Sequence, residues 1–303
     1  GFLEVETPFL IKTTPEGARD FVVPARLHEG QWYALPQSPQ LFKQILMISG
    51  CDRYMQIVRC FRDEDPRADR QAEFTQIDLE MSFVDRQEVM DVISGFVQRV
   101  WKEILGVDLG EIAVMTYRDA MERYGIDRPD LRFGLEIEDV SDIATTMDFR
   151  VFSDALAKET GVVKAMRIPG AADRMSRKAL DGLGEFAKTF KAGGVPFVKR
   201  TADGYETGIA KFLSGEPGET LAKRLNLEPG DVVLFTADTW AIATKTMGEV
   251  RNKVGRDLEL IDRNAWKMLW VVDFPMFEYD EETARWYALH HPFTSPMPDQ
   301  FDI

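Results

Sequence analysis

Residues 54–83, YMQIVRCFRDEDPRADRQAEFTQIDLEMSF, constrain the fold more than any other stretch. Their two halves alternate with the period of a β-strand on either side of a polar loop at 65–73, which predicts an antiparallel strand pair. One face carries Gln56, Arg62 and Glu64 from the first strand and Gln76, Asp78 and Glu80 from the second. The other carries Met55, Ile57, Phe61, Ile77, Leu79 and Met81. The apolar face calls for a covering layer of helices. The polar face has too many charges at successive positions for an ordinary core, so it is either a solvated surface or the floor of a site for a charged ligand. A solvated face is the commoner cause of such alternation, but the loop favours a site. It holds Arg67, Arg70 and Gln71 among acids and is too long for a tight hairpin, as suits a segment that closes over a phosphate-bearing molecule.

At 303 residues the chain exceeds one average domain, and 45% apolar with 29% charged residues is an ordinary globular balance. A net charge of −14 argues against nucleic-acid binding driven by bulk charge, while leaving room for a local basic path. No apolar run approaches the roughly 18 residues of a membrane span and no signal-like start is present, so no membrane partner is expected and the cytoplasm is the expected compartment. Cys51 and Cys60 have neither metal nor redox spacing and read as buried free thiols. Both ends look cut, the first inside an apolar pattern and the last without a terminating helix.

In chain order, residues 1–11 alternate as a strand broken at Pro8, which cannot donate a ladder hydrogen bond. Residues 14–20, TPEGARD, are turn-rich and read as a surface loop. A helix is predicted within 34–50, with Ser38 at the N-cap, Pro39 in the first helical position, Gly50 as the stop, and Leu41, Ile45, Leu46 and Ile48 as its buried side. Gln40, Lys43 and Gln44 share the opposite side. A lysine near a helix N-terminus is mildly disfavoured, so Lys43 is either an exposed solvating residue or helps the helix end to hold a carboxylate. Asp85 and Glu88 form a variant capping box opening a long amphipathic helix up to Gly106, expected to cover the apolar face of the strand pair. From about 133 to 260 glycines punctuate short strands and helices, which reads as a separate α+β module. Its Arg174, Arg177, Lys178, Lys188, Lys191, Lys199 and Arg200 either face a nucleic acid or form a dispersed solvated surface. The chain then returns to the first domain through an apolar strand and reaches His290 and His291. No cysteine or carboxylate stands at ligand spacing and the remaining histidine is His28, so these residues read as donors to a carboxylate rather than metal ligands.

The run CFRDEDPRADRQAEFTQID resembles motif 2 of the class II aminoacyl-tRNA synthetases, and in its extended form the aspartyl-tRNA synthetases of the bacterial type. The resemblance implies an antiparallel sheet flanked by helices with an inserted α+β domain, an α+β fold divided as 1–132, 133–260 and 261–303. It implies activation of L-aspartate by ATP with Mg2+, giving aspartyl-adenylate, then transfer to tRNA(Asp), in a homodimer whose interface includes Pro8. Aspartate would be met by Glu16, Ser38, Gln40, Lys43, Arg62, Gln76, Asp78, His290 and His291. ATP would be held by Arg62, Asp63, Glu64 and Gln71, with Arg62 on the α-phosphate. The family's glycine-rich motif 3, a later acidic Mg2+ ligand, the arginine that reads the aspartate side chain and the N-terminal anticodon-binding barrel are missing, so the chain is expected to be a portion of an enzyme. A non-catalytic synthetase relative is the alternative from another class. An asparagine or lysine enzyme is the nearer alternative, and the inserted module argues against both.

Overall fold

The computed structural model describes residues 1–14, 17–65, 70–280, 283–290 and 294–295, in two compact units, Gly1–Val107 and Asp108–Ile303. The first contains β1 (Leu3–Glu4), β2 (Val22–Pro24), β3 (Trp32–Ala34), α1 (Gln40–Ile48), β4 (Arg53–Phe61), β5 (Glu73–Met81) and α2 (Arg86–Val100). The period-2 stretch forms the expected antiparallel pair, in register from Arg53 opposite Met81 to Phe61 opposite Glu73, and β1 joins β4 in parallel. β4 ends at Phe61, so Arg62 and Glu64 lie beyond the strand rather than on it. The pairing nevertheless extends one step, because the Arg62 N–H donates to the Ala72 carbonyl at 2.8 Å.

Helix ends follow local chemistry with one shift. α1 begins one residue later than the sequence pattern suggests: Pro39 is the N-cap, without a side-chain bond, and Ser38 lies outside. Gly50, at φ 91°, ends the turn that follows. α2 opens with the predicted capping box, Asp85 and Glu88 each accepting the other's backbone N–H at 3.0 Å. Its stripe continues through a π-helical turn, Trp101–Leu105, and stops at Gly106 with φ 69°.

Burial reverses the expected sidedness. Tyr54, Gln56, Val58, Cys60 and Asp78, all on the even-numbered face, are buried, whereas Ile57 and Ile77 on the apolar face are 62% and 52% exposed. α1 packs on β4 and β5 with Lys43 turned inward. Lys43 is its buried residue, while Leu41, Ile45 and Ile48 are exposed. The reason is charge pairing: the lysine reaches carboxylates on the sheet, and the helix turns to bring it there. In α2, Met90 is buried but Val89 and Phe96 stay exposed, so this helix does not close off the odd face as expected.

The second unit contains β6 (Ala113–Thr116), α3 (Tyr117–Tyr124), β7 (Ile137–Asp139), α4 (Ser141–Ala144), α5 (Arg150–Leu156), β8 (Gly161–Ile168), α6 (Arg177–Lys188), β9 (Phe197–Thr201), β10 (Gly204–Glu206), α7 (Glu216–Arg224), β11 (Val232–Thr239), α8 (Trp240–Asp257), β12 (Leu269–Val272), β13 (Phe277–Asp280) and β14 (Arg285–Ala288). An antiparallel sheet in the order β10-β9-β11-β8-β7 is buried on both faces. Met166, Ile168, Val232 and Leu234 join Leu180 and Leu183 of α6 and Met247, Val250 and Val254 of α8 in one core. Val163, Ala165, Val233 and Phe235 join Ile143, Phe152 and Leu221 of α4, α5 and α7 in another. These strands read as apolar runs because both sides are inside. β6 and β12 pair in parallel outside this sheet.

The end of α3 approaches α8 backbone to backbone: a Cβ on Gly125, at φ 70°, would fall 2.4 Å from the Thr244 carbonyl oxygen. Nearby, Arg251 of α8 is fully buried and donates to the carbonyls of Asp130, Phe133, Gly134 and Leu135, with its guanidinium 4.1 Å from the Phe133 ring centre. Burial lowers its pKa to about 10.

Candidate active site

The buried face of the β4–β5 pair and the N-terminal half of α1 enclose a cluster of charge. Lys43 is 9% exposed, and its Nζ stands 2.9 Å from Asp78 Oδ1 and 3.0 Å from Glu80 Oε2. Burial alone would lower the lysine pKa, but the hydrogen bond to Asp78 and the charges of Asp78 and Glu80 outweigh it and hold the pKa above its ordinary value. The carboxylates are less completely served. Asp78 Oδ2 is buried without a partner, and Glu80 Oε2, although within ion-pair distance, lacks hydrogen-bond geometry. A buried carboxylate oxygen without a donor is costly, and an incoming ammonium or amide would relieve it.

Around this triad the even-numbered residues make a largely polar floor, interrupted at Val58. Gln56 stands opposite Asp78 and Tyr54 opposite Glu80 across the ladder. The Cys60 thiol lies 3.2 Å from Gln76 Oε1. The Tyr54 pKa is raised, first by burial and then by the charge of Asp78.

At the open end of the hairpin a cavity of about 670 Å³ is lined by Arg59, Arg62, Glu64, Arg70, Gln71 and Glu73, together with Phe74 and Thr75. The Arg62 guanidinium lies over the Phe74 ring, 5.1 Å from its centre, which fixes the cation while leaving its in-plane donors for a ligand. The Asp63 N–H donates to the Arg19 carbonyl at 3.0 Å, tying the segment 17–20 to this end of β4. Gln37, 2% exposed, pins the same segment by bonding both the N–H and the carbonyl of Ala18, at 3.1 and 2.9 Å. A larger cavity of about 940 Å³ lies in the same unit between Leu10, Val22, Trp32, Tyr33, Leu41 and Phe42. Its walls are mostly apolar and it contains no carboxylate, so the charged chemistry belongs to the smaller one.

The structure therefore brings Lys43, Gln76 and Asp78 onto one floor, with Ser38 and Gln40 half-buried at the start of α1, and gathers Arg62, Glu64 and Gln71 around one cavity. Asp63 is exposed. His290 is half-buried after β14 in the second unit. Glu16 and His291 lie outside the described residues, as does Arg67. Sequence reasoning overlooked Tyr54, Cys60 and Gln37. The first two share the even phase of Gln56 and Asp78 and were legible from it, whereas nothing local marks Gln37. Among the described residues no group of three His, Cys, Asp or Glu side chains could hold a metal ion, and no helix is long and apolar enough to cross a membrane. Several basic residues of the second unit are engaged within it: Arg174 donates to the Leu258 carbonyl, Lys199 to the Ala172 carbonyl and Arg200 to the Gly204 carbonyl, while Lys188 pairs with Glu185.

The chain is 51% identical over its whole length to an aspartate-tRNA ligase of Macrococcus caseolyticus and 52% identical to one of Staphylococcus carnosus. It is 50% identical to an aspartate-tRNA(Asp/Asn) ligase of Geotalea uraniireducens. In each case it covers 100% of this chain and 51% of the relative, so the chain spans about half the length of the curated relatives it matches. The family model for tRNA synthetases class II (D, K and N) matches residues 1–302, and the chain belongs to that family.

Proposed function

We propose that this chain carries the amino-acid and ATP pockets of an aspartate-tRNA ligase, which joins L-aspartate to the α-phosphate of ATP and then transfers the aspartyl group to tRNA(Asp). The observation that carries the reading is the lysine held between two carboxylates with Asp78 Oδ2 left over. An amino acid is a carboxylate and an ammonium joined together, and it can enter by exchange. Its side-chain carboxylate takes Lys43 from the acids, and its ammonium takes the oxygen that Asp78 offers. Gln40 and Gln76 supply neutral donors and acceptors beside them, and Ser38, Glu16, His290 and His291 complete the amino-acid set by family resemblance.

Adenylate formation asks for two anions brought in line and for neutralisation of the charge that grows on the α-phosphate. Arg62 suits this task, because a guanidinium can fork onto carboxylate and phosphate oxygens together. Glu64 and Gln71, in the same cavity, and Asp63 beside them are assigned to ATP. Mg2+ would ride on the nucleotide phosphates, in keeping with an ion that prefers phosphate and water to an all-protein cage. It would supply further charge neutralisation at the phosphates.

The remaining assignments follow from the same reading. A homodimer is supported by the exposed Leu3, Phe9 and Leu10 around Pro8. A reducing compartment, the cytoplasm, is supported by the absence of a metal or redox spacing between Cys51 and Cys60. A division at 132/133 and 260/261 is supported by the two cores of the second unit, whose buried residues run from Phe133 to Leu258. The test is aspartate-dependent exchange of pyrophosphate into ATP by the full-length protein. Arg62→Ala should lower exchange at least about a hundredfold, the scale of losing one transition-state charge contact. Near-normal exchange in that variant would remove Arg62 from the mechanism.

A further inference from the structure

Arg62 and Asp63 lie past the end of β4, and their backbone is nonetheless held from both sides. On one side the Arg62 N–H donates to the Ala72 carbonyl at 2.8 Å. On the other the Asp63 N–H donates to the Arg19 carbonyl at 3.0 Å, and the two residues form an antiparallel bridge. One step back, the Phe61 N–H donates to the Pro36 carbonyl at 2.9 Å. Segments 18–20 and 35–37 therefore both border this end of β4, and one side chain joins them. The Gln37 carboxamide, 2% exposed, accepts from the Ala18 N–H through Oε1 at 3.1 Å and donates through Nε2 to the Ala18 carbonyl at 2.9 Å and to Asp20 Oδ1. Only this orientation of the amide serves an N–H and a carbonyl at once, so Ala18 fixes its polarity. The other carboxylate oxygen of Asp20 accepts from the Thr13 hydroxyl. A buried amide with its three bonds all made to one half-exposed segment holds that segment in a single place, and removing the amide leaves the Ala18 N–H and carbonyl unserved.

We propose that Gln37 is a positioning residue that aligns the amino-acid pocket with Arg62, and so the attacking carboxylate of aspartate with the α-phosphate. This rests on the reading of Arg62 as the α-phosphate contact. Gln37 directly precedes Ser38 and Gln40 at the start of α1, on the amino-acid side. Through Ala18 and Asp20 it also sets the backbone that pairs with Asp63, on the nucleotide side. Displacing segment 18–20 leaves the Asp63 N–H without its acceptor and Arg62 tied on one side alone. A shift of the Arg62 backbone is carried to the guanidinium, and in-line attack is sensitive to errors of about 1 Å. Gln37 touches neither substrate in this arrangement, because its carboxamide is spent on Ala18 and Asp20.

The test uses pyrophosphate exchange in the full-length protein with Gln37→Met, Asp20→Ala, and Gln37→Met combined with Arg62→Ala. Gln37→Met keeps the buried volume and deletes all three hydrogen bonds. The expected result is a fall of about tenfold in kcat, less than the roughly hundredfold that a misplacement of about 1 Å can cost. The KM values for aspartate and ATP should stay at wild type, since neither pocket loses a contact. Asp20→Ala loosens the same clamp from its half-exposed side and should give a smaller fall in kcat; if Gln37→Met does not fold, this variant decides, and a wild-type kcat in it overturns the proposal. In the Arg62→Ala background Gln37→Met should cost nothing further, because it acts through Arg62. A merely structural role would lower thermal stability and the folded fraction while leaving kcat per folded molecule unchanged. The proposal is overturned by that result, by additive losses from Gln37→Met and Arg62→Ala, or by a raised KM in place of the fall in kcat. A wild-type protein without aspartate-dependent exchange would overturn the functional reading and this proposal together, whereas a working wild type that depends on Arg62 but not on Gln37 would overturn this proposal alone.

Discussion

Each unit of the molecule contains a buried lysine set between two carboxylates, and only one of the two leaves an oxygen over. In the second unit Lys164 of β8, with a side chain 1% exposed, is paired with Glu122 and with Asp139, the latter at 3.1 Å. The acids are themselves occupied. Glu122 accepts from the Trp240 indole at 2.7 Å and Asp139 from the Ser141 N–H at 2.9 Å, and their side chains are 34% and 44% exposed, within reach of solvent. In the first unit Lys43 sits between Asp78 and Glu80, but the Asp78 side chain is only 10% exposed and its Oδ2 has no partner. The composition of the two triads is the same. What differs is whether every buried lone pair is served, and the comparison teaches that a buried ion pair does not mark a site; an unserved oxygen beside one does.

The comparison breaks most visibly if the closed triad is stripped of its acids. Glu122→Gln combined with Asp139→Asn leaves the fully buried Lys164 without countercharge. Urea unfolding should then show a loss of about 3–5 kcal/mol, while exchange per folded molecule stays at the wild-type rate. A parallel loss of exchange would mean that the closed triad also serves the reaction.

The open triad is probed by Lys43→Met, which keeps the stem and deletes the charge. We expect kcat/KM for aspartate in adenylate formation to fall by about a hundredfold, roughly 2.7 kcal/mol. Asparagine should lose much less, since an ammonium donates only and has nothing to offer an amide NH2. Equal losses for the two amino acids would reduce Lys43 to a structural partner of Asp78 and erase the distinction from Lys164.

The smallest effect is in pH. Lys43 is held above its ordinary pKa by Asp78 and Glu80, against burial, so the unfolded chain releases this proton before the folded one does. The stability difference between wild type and Lys43→Met should be constant up to about pH 10, near the unfolded lysine pKa, and should shrink as pH rises through the folded value. The raised Tyr54 pKa weakens alkaline stability in the same direction but is present in both proteins. A difference that grows with pH would contradict the pairing.

The sequence by itself determined what depends on neighbours along the chain. Alternation set the β4–β5 pairing, Asp85 and Glu88 the start of α2, and Gly50 and Gly106 the stops, because strand period, capping and positive φ are local properties. The long run through motif 2 identified the family, and apolar stretches between glycines marked the second unit's strands. Which face of the hairpin is buried was decided only by tertiary structure. Side choice depends on what packs there, and Lys43 turned α1 toward the acids and left Ile57, Ile77 and Ile48 outside. The same holds for Gln37, whose partner Ala18 lies on another segment, and for the unserved oxygen of Asp78. Hydrogen-bond satisfaction is a property of three-dimensional neighbours, and no spacing along the chain encodes it.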